Sequence, residues 1–100
     1  MRQTKLESNY QEGLIKRLRQ IFPGCIILKN DTDYQQGIPD LSIFWNDRWA
    51  MLEVKPKINA EQQPNQEWFV SQANQMSFGA FIYPENETEV LDALQQAFRA

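Results

Sequence analysis

Asp40, Glu53 and Lys55 are the residues whose types and spacing could act together chemically. Glu53-Val54-Lys55 closes a strand-like run from Arg48 to Lys55, and Asp40 opens the run before it, Asp40 to Trp45. Asn46-Asp47 between the two runs reads as a hairpin turn. With a two-residue turn Trp45 faces Arg48, and stepping back along both strands brings Asp40 opposite Glu53. Side chains so opposed have Cβ atoms about 4.5–5.5 Å apart. Strand alternation puts Lys55 on the face of Glu53. Two facing carboxylates repel unless something neutralises them, and a divalent cation with Lys55 beside it would do so. The plainer alternative makes Asp40 a turn residue after Pro39 and Glu53–Lys55 a solvated strand end. Met51, Leu52 and Val54 weigh against it, because they belong to a largely buried strand where charges need partners. A register slip of one residue would send Asp40 to the other face.

Composition narrows the chemistry further. The chain has no histidine and one cysteine, Cys25, which excludes Ser-His-Asp and Cys-His nucleophile systems and a Cys/His zinc site. Ligands to a catalytic metal must then be oxygen atoms, which favours Mg²⁺, Mn²⁺ or Ca²⁺. Cys25 cannot form an intrachain disulfide, which fits a reducing cytoplasm, and its apolar neighbours make it a small buried side chain.

The elements that must position these residues are legible from periodicity. Gln11, Leu14, Ile15, Leu18 and Phe22 recur at helical spacing and predict a helix from Thr4 to Phe22, ended by Pro23-Gly24. Residues 25–29 read as a short strand, 30–36 as a polar loop and 57–65 as a second loop. A helix is predicted from Gln66 to Met76 with Trp68, Phe69, Gln72 and Met76 inward, and a strand from Ala80 to Tyr83. A final helix is capped by Thr88 and carries Val90, Leu91, Leu94 and Phe98. The order is α-β-β-β-α-β-α: one α/β domain over residues 1–100 with a mixed four-stranded sheet. Trp45 and Trp49 read as packing residues, and Asp31 and Asp33 as loop solvation or the rim of a site.

With 42% apolar residues a modest core is possible, and no apolar run approaches the ~18 residues of a membrane span, so neither a span nor a signal peptide is expected. The net charge of −3 is unevenly spread. Residues 1–29 carry six basic side chains, Arg2, Lys16, Arg17 and Lys29 among them, against two acidic ones. Residues 58–100 carry Arg99 against six acids. The basic third could form a phosphate-facing patch or a solvated helix face.

Gly37-Ile38-Pro39-Asp40 followed by Glu53-Val54-Lys55 resembles the PD-(D/E)XK nuclease superfamily, in particular the small branch of VRR-NUC domains and Holliday-junction-resolvase-like phage enzymes. The resemblance runs from the first helix through Tyr83. It implies a restriction-endonuclease-like core and Mg²⁺-dependent hydrolysis of DNA phosphodiesters, with branched DNA as one candidate substrate. It also implies a homodimer, and a phage-encoded member would act in the host cytoplasm. In that branch a Gln often opens the helix after the motif lysine, and Gln66 matches it. The family commonly places a Glu on the first helix. Here Gln11 holds the core-facing position, with Glu12 about 100° round the helix and Glu7 one turn upstream as substitutes.

On this reading Asp40, Glu53 and the Val54 carbonyl, with Glu12 or Gln11, would hold Mg²⁺, with Mn²⁺ as a substitute. Lys55 would orient or deprotonate water and stabilise the transition state. Lys16, Arg17, Lys29 and Lys57 are the candidates for DNA phosphate contacts. Two other readings stay open: a catalytically silent nuclease-fold module that binds DNA or protein, and an acidic protein-interaction domain.

Overall fold

The computed structural model describes residues 5–100. Thr4, where the first helix was expected to begin, and Arg2 of the basic third lie outside them. The elements follow the predicted order: α1 (Lys5–Ile21), β1 (Ile26–Lys29), β2 (Leu41–Trp45), β3 (Arg48–Val54), α2 (Gln66–Met76), β4 (Gly79–Ile82) and α3 (Glu87–Arg99). They build one mixed sheet in the order β1-β2-β3-β4. The first three strands are antiparallel and β4 runs parallel to β3, reached through α2.

The predicted hairpin register is the observed one: Trp45 pairs with Arg48 and Leu41 with Leu52. Asn46 at the turn takes a left-handed φ of 57°, a conformation Asn tolerates better than most residues. Leu41, Ile43, Ala50 and Leu52 thereby share one face, and α1 and α3 cover it with Leu14, Leu18, Leu91, Leu94 and Phe98. Cys25 is buried in the same core, as expected. Fully burying an aliphatic side chain of this size is worth about 1.5–3 kcal/mol, so this layer dominates stability.

Helix α2 covers the opposite face over β3 and β4, and it corrects the sequence reading. Its buried residues are Gln66, Val70 and Ala73, whereas Trp68 and Met76 are 58% and 71% exposed. The reason is close approach. A Cβ added to Gly79 on β4 would stand 2.5 Å from the Val70 carbonyl oxygen and 2.8 Å from the Ala73 Cβ. The helix therefore packs through its small residues, and the large ones on neighbouring faces remain outside.

Thr88 does not cap α3. Asn86 occupies the cap position, and its side chain accepts from the Tyr83 N–H and donates to the Phe81 carbonyl, tying the helix start to the end of β4. Among the described residues no helix is long and apolar enough to cross a membrane.

Candidate metal centre

The open end of the β2–β3 hairpin borders a cleft of about 810 Å³. One wall is the loop of residues 30–40 and the other is the loop of residues 55–65, with α1 closing one side through Glu7 and Gln11. The two loops meet at Gly37, whose φ of +89° and close approach to Pro64 and Asn65 leave no room for a side chain.

Asp40 immediately precedes β2 and is fixed from two directions. Its Oδ2 accepts the Val54 N–H at 2.9 Å, and its carbonyl accepts the Asn30 N–H at 2.8 Å. The Asn30 side-chain amide donates to the Pro39 carbonyl and to the Ser42 hydroxyl, splinting the chain that carries Asp40. Continuing the hairpin register places Pro39 opposite Val54. Proline has no N–H, so the ladder supplies no donor for the Val54 carbonyl, which points the same way as its own N–H.

Glu53 is 2% exposed, and its two carboxylate oxygens differ. Oε2 accepts the Gln66 amide N–H at 2.9 Å, with the Lys55 ammonium 3.7 Å away. Oε1 is buried and receives no N–H or hydroxyl donor, and the Asp40 carboxyl lies within hydrogen-bonding reach of the Glu53 carboxyl, so the two can share a proton. Lys55 is turned toward Gln66 Oε1 at 2.7 Å and the Glu61 carbonyl at 3.0 Å. The Gln63 N–H also donates to Gln66 Oε1. The Gln66 amide thus stands between the lysine and the glutamate and holds both.

The electrostatics follow from that arrangement. Burial, and then the charge of Asp40, push the Glu53 carboxyl up to about 9, against the pull of Lys55. Burial also raises the Asp40 carboxyl, against the pull of the Val54 N–H, the hydrogen bond with Glu53 and the Lys55 charge. Two buried acids with too little positive charge between them retain a proton in the absence of a cation.

The donor set fits a hard cation. Two buried carboxyl groups within reach of each other converge beside a backbone carbonyl that lacks a ladder partner, and Gln11 adds an amide to the cleft lining. Oxygen donors of this kind suit Mg²⁺ or Mn²⁺ rather than zinc. Among the described residues no three His, Cys, Asp or Glu side chains form a metal-holding group, so the remaining ligands would be neutral oxygens.

The cleft gathers Asp40, Glu53, Lys55, Gln66 and Gln11, together with Lys29 and Lys57. Glu12 is not among its lining residues. It is exposed on α1, because one helical step turns it away from the face on which Gln11 is buried, so the expectation that it serves as a metal ligand is not met and Gln11 is the α1 residue that faces the cleft from a buried position. Arg17 is committed elsewhere: Nε and Nη2 donate to the two Glu87 oxygens at 2.6 and 2.7 Å, so it clasps α1 to α3. Lys16 is exposed outside the cleft. Asp31 and Asp33 lie on the rim. Sequence reasoning missed Asn30 and Ser42, although a serine inside the apolar run Leu41 to Trp45 is a visible signal of a polar partner.

No family model, curated protein or solved structure matches this chain. The functional reading therefore rests on the cleft and on the motif.

Proposed function

We propose that the cleft is the active site of a divalent-cation-dependent DNA nuclease. The observation that carries the reading is the buried Asp40–Glu53 carboxyl pair, short of donors and close enough to share a proton, in the lining of an oxygen-rich cleft that also holds Lys55. Asp40, Glu53 and the Val54 carbonyl would hold Mg²⁺ or Mn²⁺, with the Gln11 amide oxygen on the α1 side. A bound cation would supply polarisation of a phosphate oxygen and a lowered pKa for water.

The chain's own residues do the rest. Lys55, anchored by Gln66 and the Glu61 carbonyl, presents a positive charge to the negative charge that builds up in phosphodiester hydrolysis. Gln66 positions that ammonium and the carboxylate together. Lys29 and Lys57 offer phosphate contacts on the two walls. In a dimer, the edge strand β1, with Ile26 60% and Leu28 50% exposed, is where a second copy would add its strand.

The test is incubation of the protein with linear, nicked, single-stranded and branched DNA in Mg²⁺ or in EDTA. Cleavage with Mg²⁺ and none with EDTA is expected. Equal cleavage in EDTA would contradict the metal site. Binding of DNA without any cleavage in Mg²⁺ or Mn²⁺ would favour the second reading, a silent nuclease-fold module. That reading draws on Gln11, a neutral residue buried where a carboxylate would strengthen the site.

A further inference from the structure

We propose that Asn30 is a positioning residue for the cation site: its side-chain amide holds the Pro39 carbonyl away from β3, which leaves the Val54 N–H free to fix the Asp40 carboxylate. This inference rests on the reading of Asp40 as a cation ligand and names the device that sets it.

The β2–β3 ladder supplies the first observation. In a hairpin closed by two residues, the flanking pair exchanges both backbone bonds, and so does every second pair after it. Counting from Trp45–Arg48, those pairs are Ile43–Ala50 and Leu41–Leu52, and the next in the series is Pro39–Val54. The other side of β3 agrees. The Met51 and Lys55 N–H groups donate to Phe78 and Ile82, toward β4, so the even-numbered residues of β3 point to β2. An uninterrupted ladder would therefore bond the Val54 N–H to the Pro39 carbonyl. Both groups are used otherwise. The Val54 N–H donates to Asp40 Oδ2 at 2.9 Å, and the Pro39 carbonyl accepts from the Asn30 amide at 2.8 Å. The ladder stops at the pair where stopping frees a donor for the carboxylate.

The second observation is how firmly Asn30 is aimed. Its backbone N–H donates to the Asp40 carbonyl at 2.8 Å, which continues the β1–β2 register one pair beyond Lys29–Leu41. Its amide also donates to the Ser42 hydroxyl at 2.9 Å, and that hydroxyl donates back to Asn30 Oδ1 at 3.2 Å. Ser42 is buried, so the exchange is shielded from water and keeps the NH₂ end of the amide on Pro39. Backbone and side chain of Asn30 thus grip residues 39, 40 and 42 together. Proline has a fixed φ, so one torsion, ψ, decides where its carbonyl points, and the Asn30 bond holds that torsion. Two acceptors compete for one donor. The Asp40 carboxylate keeps the Val54 N–H while the Pro39 carbonyl is turned to β1.

The experiment uses the full chain, isotope-labelled and in EDTA. Nuclear magnetic resonance identifies the carbon to which the Val54 nitrogen couples across its hydrogen bond, and calorimetry measures Mg²⁺ affinity in parallel. Wild type should couple to the Asp40 carboxyl carbon. Asn30→Leu keeps the size of the side chain and loses its donors. It should move the coupling to the Pro39 carbonyl carbon and raise the Mg²⁺ dissociation constant on the order of 10–100-fold, the usual cost of losing a group that orients a metal ligand. Its melting temperature in EDTA should fall only slightly, because the Val54 N–H and the Pro39 carbonyl then satisfy each other. Ser42→Ala leaves the bond to Pro39, so it should keep the wild-type coupling and weaken Mg²⁺ binding less than Asn30→Leu does.

Coupling to the Pro39 carbonyl in wild type would overturn the inference, even if Asn30→Leu fails to fold. So would coupling that stays on Asp40 in Asn30→Leu, or a lower melting temperature in that variant with Mg²⁺ affinity unchanged. If wild type binds no Mg²⁺ while the coupling moves as stated, the cation reading fails and the role of Asn30 in fixing Asp40 stands. If wild type and Asn30→Leu bind Mg²⁺ equally well, only the positioning role fails.

Discussion

Glu87 and Glu53 are both partly or wholly removed from water, and they acquire opposite proton affinities. Glu87, at the start of α3, receives the Tyr10 hydroxyl at 2.7 Å and two N–H groups of Arg17. Burial alone would push its carboxyl up, but the bonds from Arg17 and Tyr10 and the Arg17 charge outweigh it and hold it below the usual range. Glu53 receives one neutral amide donor and keeps its lysine at 3.7 Å, and burial pushes it up to about 9. The difference lies in the donors that each position supplies. Where a glutamate is fully matched, it joins two helices across 70 residues of sequence. Where it is left short of positive charge, buried in the lining of a cleft, it is suited to a cation that the protein does not carry in its own side chains.

The contrast can be tested most severely at Lys55. Lys55→Ala should lower the cleavage rate on the order of 10²-fold or more at saturating Mg²⁺, read by single-turnover kinetics. Mg²⁺ affinity should survive or tighten slightly, because a neighbouring positive charge is removed. A wild-type rate would make Glu53-Val54-Lys55 a charged strand end and nothing more.

Asp40→Asn should act on ligation instead, raising the Mg²⁺ dissociation constant roughly tenfold or more in a calorimetric titration. The amide oxygen can still accept the Val54 N–H, and repulsion with Glu53 is relieved. Melting in EDTA should therefore occur at a higher temperature than for wild type.

Glu87→Gln addresses the other member of the comparison. It should cost about 1 kcal/mol of stability, a value held down by the partial exposure of Arg17. For a domain of this size that is a fall of roughly 4–8 °C in melting temperature. Cleavage at saturating Mg²⁺ should not change.

The smallest expected effect is a pH trend in the metal-free protein. Glu53 binds its proton more tightly folded than unfolded, so its contribution to stability is complete below the ordinary glutamate pKa. It is lost as pH rises toward about 9. In EDTA the melting temperature should decline across that window, and Glu53→Gln should flatten the decline. An equal slope in the variant would assign the trend to other groups.

These two glutamates also mark what the sequence could reveal. Glu53 was legible because the Asn46-Asp47 turn sets the hairpin register, and alternation then places Asp40 and Lys55 around it. Glu87 was not, because its partners are brought to it by the packing of α1 on α3, and no local period encodes that. The burial of α2 was misread for a related reason. Helical spacing favoured Trp68 and Met76, but the close approach at Gly79 admits only Val70 and Ala73. The Asn30–Ser42 splint under Asp40 likewise depends on the pairing of β1 with β2, in which Ser42 faces Leu28. Local patterns carried the strands and the turn, and long-range packing decided which charges were satisfied.

The central claim is that Asp40 and Glu53 form a cation site that holds a proton until the cation arrives. Calorimetric titration of Mg²⁺ at about pH 7.5, in buffers of different ionisation enthalpy, measures the protons released on binding. Close to one proton per Mg²⁺ is expected, falling toward zero in Glu53→Gln together with the affinity. Absence of Mg²⁺ binding, or binding without proton release that Glu53→Gln leaves unaltered, would contradict it.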